Sequence, residues 1–213
     1  MTGLDDGRSA APASAADFAP APALGQPVER GRLASDHFRQ RDQRLIHQGA
    51  VVGFFEAQIE DNSGARFARD VIRHPGAVSV VPIDGDDVFL VRQYRAALDA
   101  DLLELPAGKR DVDGEPPIET ARRELVEEIG MRAGSIEPLI NIHHSPGFCD
   151  EYGHLFLATD LEPVPQERMG PEEQAMTVHR LPLAEAVELC LSGTITDAKS
   201  VAGLLAAARR LGR

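Results

Sequence analysis

The stretch from Leu105 to Met131, LPAGKRDVDGEPPIETARRELVEEIGM, decides how the rest of this 213-residue chain is read. Pro106, Gly108, Asp111, Asp113 and Gly114 are turn-forming residues, and Pro116 and Pro117 are tolerated only outside a helix or in its first turn. The spacing therefore predicts a helix that begins near Pro117. Ile118, Ala121, Leu125 and Ile129 recur three or four apart as one apolar stripe, and Gly130 ends it. At about 100° per residue, Glu124 and Glu128 fall on the border of that stripe, Glu127 lies farther round, and Glu119 and Arg123 turn toward water. Carboxylates one turn apart at the rim of a core repel each other and lose hydration, which is costly unless a cation or strong donors compensate. A hard divalent cation such as Mg²⁺ meets that need. The ordinary alternative is a solvated helix laced with the i,i+4 pairs Glu119 to Arg123 and Arg123 to Glu127.

The whole string favours the cation. Arg123-Glu124-Leu125-x-Glu127-Glu128-x-Gly130-Met131, with Glu115 eight positions before Arg123, resembles the signature box of the Nudix hydrolases. One departure is visible: six residues, where the family has five, separate Gly108 from Glu115, so the loop is one residue longer while the helix is unaffected.

Around the box, the formal charge of -12 argues against a nucleic-acid backbone as the main partner, because such proteins carry a basic face. No long apolar run and no signal-like N-terminus are present, so neither a membrane span nor export is indicated. Cys149 and Cys190 give no pattern that points to an oxidising compartment, and a cytoplasmic protein is expected. Residues 1–26, rich in Ala and Pro, read as a flexible tail. Residues 27–72 read as extended segments with the turn Asp61-Asn62-Ser63-Gly64, a small antiparallel sheet. Ala77 to Pro82 and Val88 to Val91 read as a hairpin, with Arg92, Tyr94 and Arg95 just beyond it. Leu102 to Leu105, Ser135 to Ile142 and Tyr152 to Thr159 read as strands, Gly170 to Gln174 as an acidic loop, and Ala184 to Leu191 and Ala198 to Leu211 as closing helices. The expected class is α+β, a mixed sheet sandwiched by helices with an N-terminal antiparallel sheet subdomain.

Outside the box, Arg92-Gln93-Tyr94-Arg95, Leu105-Pro106-Ala107-Gly108, Ser145-Pro146-Gly147-Phe148-Cys149-Asp150-Glu151 and Asp197-Ala198-Lys199-Ser200-Val201 are similar to segments of the ADP-ribose pyrophosphatase branch of the Nudix family. The resemblance implies a Nudix fold over residues 73–213 and a homodimer that exchanges the 27–72 sheet. It also implies Mg²⁺-dependent hydrolysis of ADP-ribose, or a related nucleoside diphosphate sugar, to AMP and ribose 5-phosphate. It implies that Glu124, Glu127, Glu128 and the carbonyl of Ala107 hold Mg²⁺, with Mn²⁺ as the alternative, and that Arg123 orients the glutamates. Glu172 or Glu173 is then the base, while Ser145, Gly147 and Glu151 belong to the substrate loop. Arg95 and Arg69 are candidates for gripping the diphosphate through bidentate hydrogen bonds. Two competing readings are a hydrolase of another nucleotide sugar and a non-catalytic ADP-ribose sensor. The intact carboxylate string disfavours the sensor, which has no use for a metal site. A zinc site from His143, His144, Cys149 and His154 is weighed and set aside, because the spacing matches no common zinc pattern.

Overall fold

The computed structural model describes residues 35–166, 168 and 171–213, without the side chains of Pro171 and Glu172. The tail read over residues 1–26 and the first part of the 27–72 segment lie outside the described residues. Three strands, β1 (Phe38–Gln48), β2 (Gly53–Asp61) and β3 (Arg66–Arg73), pair antiparallel in that order. The β2–β3 turn forms where the sequence places it: one Asp61 carboxylate oxygen accepts from the Ser63 and Ala65 amides at 2.8 and 3.0 Å, and Gly64 supplies a φ of 85°. β1 is exposed along its whole length and carries Phe38, Leu45 and Ile46 in the open.

The larger sheet is built on β4 (Ala77–Asp84), whose residues are buried from Ala77 to Ile83. On one side β4 runs parallel to β9 (Tyr152–Pro163), which pairs in turn with β8 (Met131–His143). On its other side it meets β7 (Ala107–Lys109) at its start and β5 (Asp87–Arg95) at its end. β5 also pairs with β6 (Ala100–Glu104) and β10 (Thr177–Pro182). Period-two alternation sorts these strands onto two cores. Val78, Val80, Phe89, Val91, Phe156 and Ala158 face one way, and Val81, Ile83, Val88, Leu90 and Leu157 the other.

Helix α1 (Pro117–Ile129) covers the first face with Ala121, Leu125 and Ile129. Fully burying Leu125 alone is worth about 1.5–3 kcal/mol. Gly130 closes the helix at φ 64°, its amide bonding the carbonyl of Val126 at 3.1 Å. The opposite face is covered by α3 (Leu183–Leu191) and α4 (Ala198–Leu211), through Leu183, Ala186, Leu204 and Ala207. The α+β sandwich is as expected. Three local readings change. The acidic loop contains a five-residue helix, α2 (Pro171–Ala175), too short to show a period. The β5 strand continues through Arg95 because β6 pairs with it there. The mostly exposed β10 has no apolar alternation, and its strand form comes from pairing with β5.

Candidate active site

Where β7 meets α1, the backbone brings the box loop against the helix. The Ala107 amide donates to a Glu128 carboxylate oxygen at 2.8 Å. Gly108 must lack a side chain, since a Cβ there would come within 1.8 Å of Glu124 Oε1. Glu124 and Glu128 are both buried, only 6% and 4% exposed, as the helical period predicts. Arg123 lies on the neighbouring face, its Nη1 at 2.9 Å from both Glu124 Oε1 and Glu127 Oε2 and its Nη2 at 3.7 Å from Glu115. Glu115 is itself held by the hydroxyl of Thr120 at 2.7 Å. Arg123 thus binds the carboxylates instead of Glu119, which approaches Arg122 at 3.7 Å.

The electrostatics are unbalanced. Burial, reinforced by Glu127 and Glu173, pushes the Glu124 carboxyl up to about 7 despite Arg123. Burial, with Glu124 and Glu173 adding to it, pushes Glu128 up to about 8 against the opposing Ala107 amide and Arg95. Among the described residues no three His, Cys, Asp or Glu side chains converge as a ready metal cage; Arg123 bonds Glu124 and Glu127, and the Ala107 amide bonds Glu128. The donor set nevertheless fits a hard divalent cation. It consists of oxygens, it is short of positive charge, and Gly108 leaves the carboxylates room.

These side chains form one wall of a cleft of about 550 Å³. Glu173, half-buried, joins them from α2, while the Glu172 side chain lies outside the described residues. The opposite wall carries Gln93, Arg95, Asp197 and Lys199. Arg95 grips the fully buried Glu104 with two hydrogen bonds of 2.7 and 2.6 Å. Lys199 bonds both Glu104 and, at 2.6 Å, Asp197. Asp197 also caps α4 by accepting from the Ser200 amide at 2.9 Å, and the Ser200 hydroxyl accepts from the Leu105 amide at 2.8 Å. The Lys199 ammonium and the Ser200 donors outweigh burial and hold Asp197 below the usual carboxylate range.

Of the expected site residues, Ala107, Arg123, Glu124, Glu127, Glu128, Arg95, Glu151 and Glu173 line this cleft. Ser145 and Gly147 do not. The Ser145 carbonyl instead accepts from the Phe148 and Cys149 amides, closing the turn that leads to Glu151. Arg69 lies on β3, stacked over Phe67 at 4.5 Å and bonded to the Ala68 carbonyl, away from the cleft of its own chain. Sequence reasoning assigned no role to Gln93, Glu104, His74, His144, Asp197 or Lys199. Glu104 and Lys199 are 95 residues apart, and only the docking of α4 joins them.

A family model described as NUDIX domain matches residues 73–203. An ADP-ribose pyrophosphatase of Mycobacterium tuberculosis is 38% identical over 175 residues, 82% of this chain and 84% of the relative. An ADP-ribose pyrophosphatase of Bacillus subtilis is 35% identical over 156 residues, 73% of this chain and 84% of the relative. A crystal structure described as an ADP compounds hydrolase superposes with a TM-score of 0.73 at 24% identity, over 85% of this chain and 97% of the other. That last likeness concerns the fold alone.

Proposed function

The chain belongs to the Nudix hydrolase family, and from that premise we propose that it hydrolyses the diphosphate of ADP-ribose, or of a related nucleoside diphosphate sugar, to AMP and ribose 5-phosphate. The observation that carries this reading is the pair of buried carboxylates, Glu124 and Glu128, without enough positive charge around them, in a polar cleft with Arg95 and Lys199 opposite. The pyrophosphatase relatives support the substrate class. In this reading Glu124, Glu127, Glu128 and the carbonyl of Ala107 hold Mg²⁺, with Mn²⁺ the alternative. When bound, such an ion neutralises charge on the phosphoryl oxygens and lowers the pKa of water.

The chain's own groups do the rest. Arg123 fixes the orientation of Glu124 and Glu127 through charge-assisted hydrogen bonds. The carboxylate of Glu173 takes the proton of the attacking water, and Glu172, next to it on the same helix, is the alternative base. Arg95, held in place by Glu104, presents its remaining donors to the diphosphate, and Glu151 meets the substrate from the loop that Ser145 and Gly147 shape. Residues 27–72 form the dimerisation subdomain of a homodimer and residues 73–213 the catalytic domain. Arg69 then serves the other protomer's cleft. The protein acts in the cytoplasm on a small nucleotide, a reading supported by the unpaired Cys149 and Cys190. Among the described residues no helix is long and apolar enough to cross a membrane.

The deciding experiment incubates the pure protein with Mg²⁺ and a panel of nucleoside diphosphate sugars and identifies the products. ADP-ribose should give AMP and ribose 5-phosphate with the highest kcat/KM. A more than tenfold preference for another nucleotide sugar, or no cleavage of any, would overturn the assignment.

A further inference from the structure

The loop that carries Glu151 into the cleft has little to pack it down. From Ser145 to Glu151 no residue is buried, and Phe148, its one large apolar side chain, is 57% exposed. A segment with so little buried apolar contact takes its position from hydrogen bonds. These run to the end of β3. The Ile72 amide donates to the Phe148 carbonyl at 2.7 Å, and the Asp150 amide donates back to the Ile72 carbonyl at 3.1 Å. The Asp150 side chain extends the join: its Oδ1 accepts from the His74 amide at 2.9 Å and its Oδ2 from Arg73 Nη1 at 3.2 Å.

Arg73 is shared between three segments. Its Nε and Nη2 donate to Gln43 Oε1 at 3.1 and 2.7 Å, and Nη2 also to Gln40 Oε1 at 3.0 Å, both on β1. One guanidinium on β3 therefore ties β1 to the loop, with Asp150 as the carboxylate that it holds. The pair keeps only 31% and 22% of its side chains exposed, so solvent weakens it less than an open surface pair. The next residue is Glu151. It lines the cleft, its carboxylate 3.5 Å from His144 Nδ1 and its carbonyl accepting from the His144 amide at 3.2 Å. Glu151 is thus held between β8 on one side and, through Asp150, β3 on the other. Asp150 itself does not line the cleft.

Resting on the reading above in which Glu151 meets the substrate, we propose that Asp150 is a positioning residue: by clamping the 145–151 loop to Arg73 and the His74 amide, it fixes Glu151 and sets substrate affinity from outside the cleft. A loop already ordered loses less conformational freedom on binding. The clamp also makes affinity depend on the N-terminal sheet, because the arginine that holds Asp150 is itself held by β1.

The test is a double-mutant cycle on ADP-ribose hydrolysis, with Asp150→Ala, Glu151→Gln and the two combined. Asp150→Ala should raise KM about tenfold with kcat within about threefold of wild type, the mark of lost binding. Glu151→Gln should raise KM at least as much, and the combined variant should match it within about twofold, since the clamp then has nothing left to position. A role in stability alone would leave KM unmoved. Losses in KM that multiply in the combined variant, or a wild-type KM in Asp150→Ala, would overturn the inference. Asp150→Asn keeps an acceptor for the His74 amide and drops the charge facing Arg73. It should raise KM about threefold, and it takes the place of Asp150→Ala in the cycle should that variant fail to fold. Amide hydrogen exchange reads the clamp without turnover: the amides of Phe148, Cys149 and Asp150 should exchange about tenfold faster in Asp150→Ala, and unchanged exchange would equally sink the proposal. With Glu151→Gln at wild-type KM, the substrate role of Glu151 fails and the inference with it. With wild type cleaving no diphosphate, the proposed activity fails, and calorimetric binding of ADP-ribose carries the same cycle.

Discussion

The two walls of the cleft solve the same electrostatic problem in different ways. On the wall made by β5, β6 and α4, the buried Glu104 and the largely buried Asp197 face Arg95 and Lys199, so each carboxylate has a cation within hydrogen-bond distance. Asp197 accordingly stays below the usual carboxylate range. On the α1 wall, Arg123 serves Glu124 and Glu127, while Glu128 has a single backbone amide, and the buried carboxyls are pushed up to about 7 and about 8. Burial is similar on both walls, and the difference lies in the cations supplied. One wall is completed by the fold itself, and the other leaves its buried carboxylates short of positive charge.

The largest expected effect breaks the contrast at the incomplete wall. Glu124→Gln or Glu128→Gln should lower kcat by roughly two to four orders of magnitude, since charge is removed where the transition state needs it. The same substitutions should leave the melting temperature without divalent cation unchanged or higher. Near-normal turnover at saturating Mg²⁺ would end the metal assignment. The completed wall should respond in the opposite sense. Lys199→Met leaves the largely buried Asp197 without its cation and Glu104 with Arg95 alone, and breaking such a pair costs about 3–5 kcal/mol. At about 2–4 °C per kcal/mol for a chain of this size, Tm should fall by roughly 10 °C, with or without divalent cation.

A third expectation sharpens the comparison through pH. Glu124 and Glu128 hold their protons above the ordinary value of 4.5, so their contribution to the cation-free fold is full below that value. It is lost as pH rises through about 7 and about 8. Divalent cation offsets this loss, and Mg²⁺ should therefore raise Tm by several degrees more at pH 8.5 than at pH 6. Asp197, held low, contributes stability above its unfolded value and loses it only as pH falls. Thermal melts at the two pH values, with and without Mg²⁺, read the first effect, and melts taken at pH below the ordinary aspartate value of 3.8 read the second. The smallest contrast separates the two candidate bases. Glu173→Gln should lower kcat strongly with KM nearly unchanged, and Glu172→Gln should be mild. Wild-type pH–rate profiles in both variants would move the base elsewhere.

The sequence by itself determined α1, its cap at Gly130, its buried carboxylates and the central hairpin. These depend on local rules, namely the 3.6-residue period, the conformational needs of Gly and Pro, and the alternation of strands. It also determined the family, because so many fixed positions of the box fall within one short run. Only the tertiary structure decided the opposite wall. Glu104 and Lys199 are far apart in the chain and have no shared spacing to betray them, and α4 becomes their meeting place only by packing Leu204 and Ala207 onto the sheet. The same holds for β10, made a strand by β5. Periodicity tells which face of an element is buried. It does not tell what that face will meet, because the partner is chosen by long-range packing that no local pattern encodes.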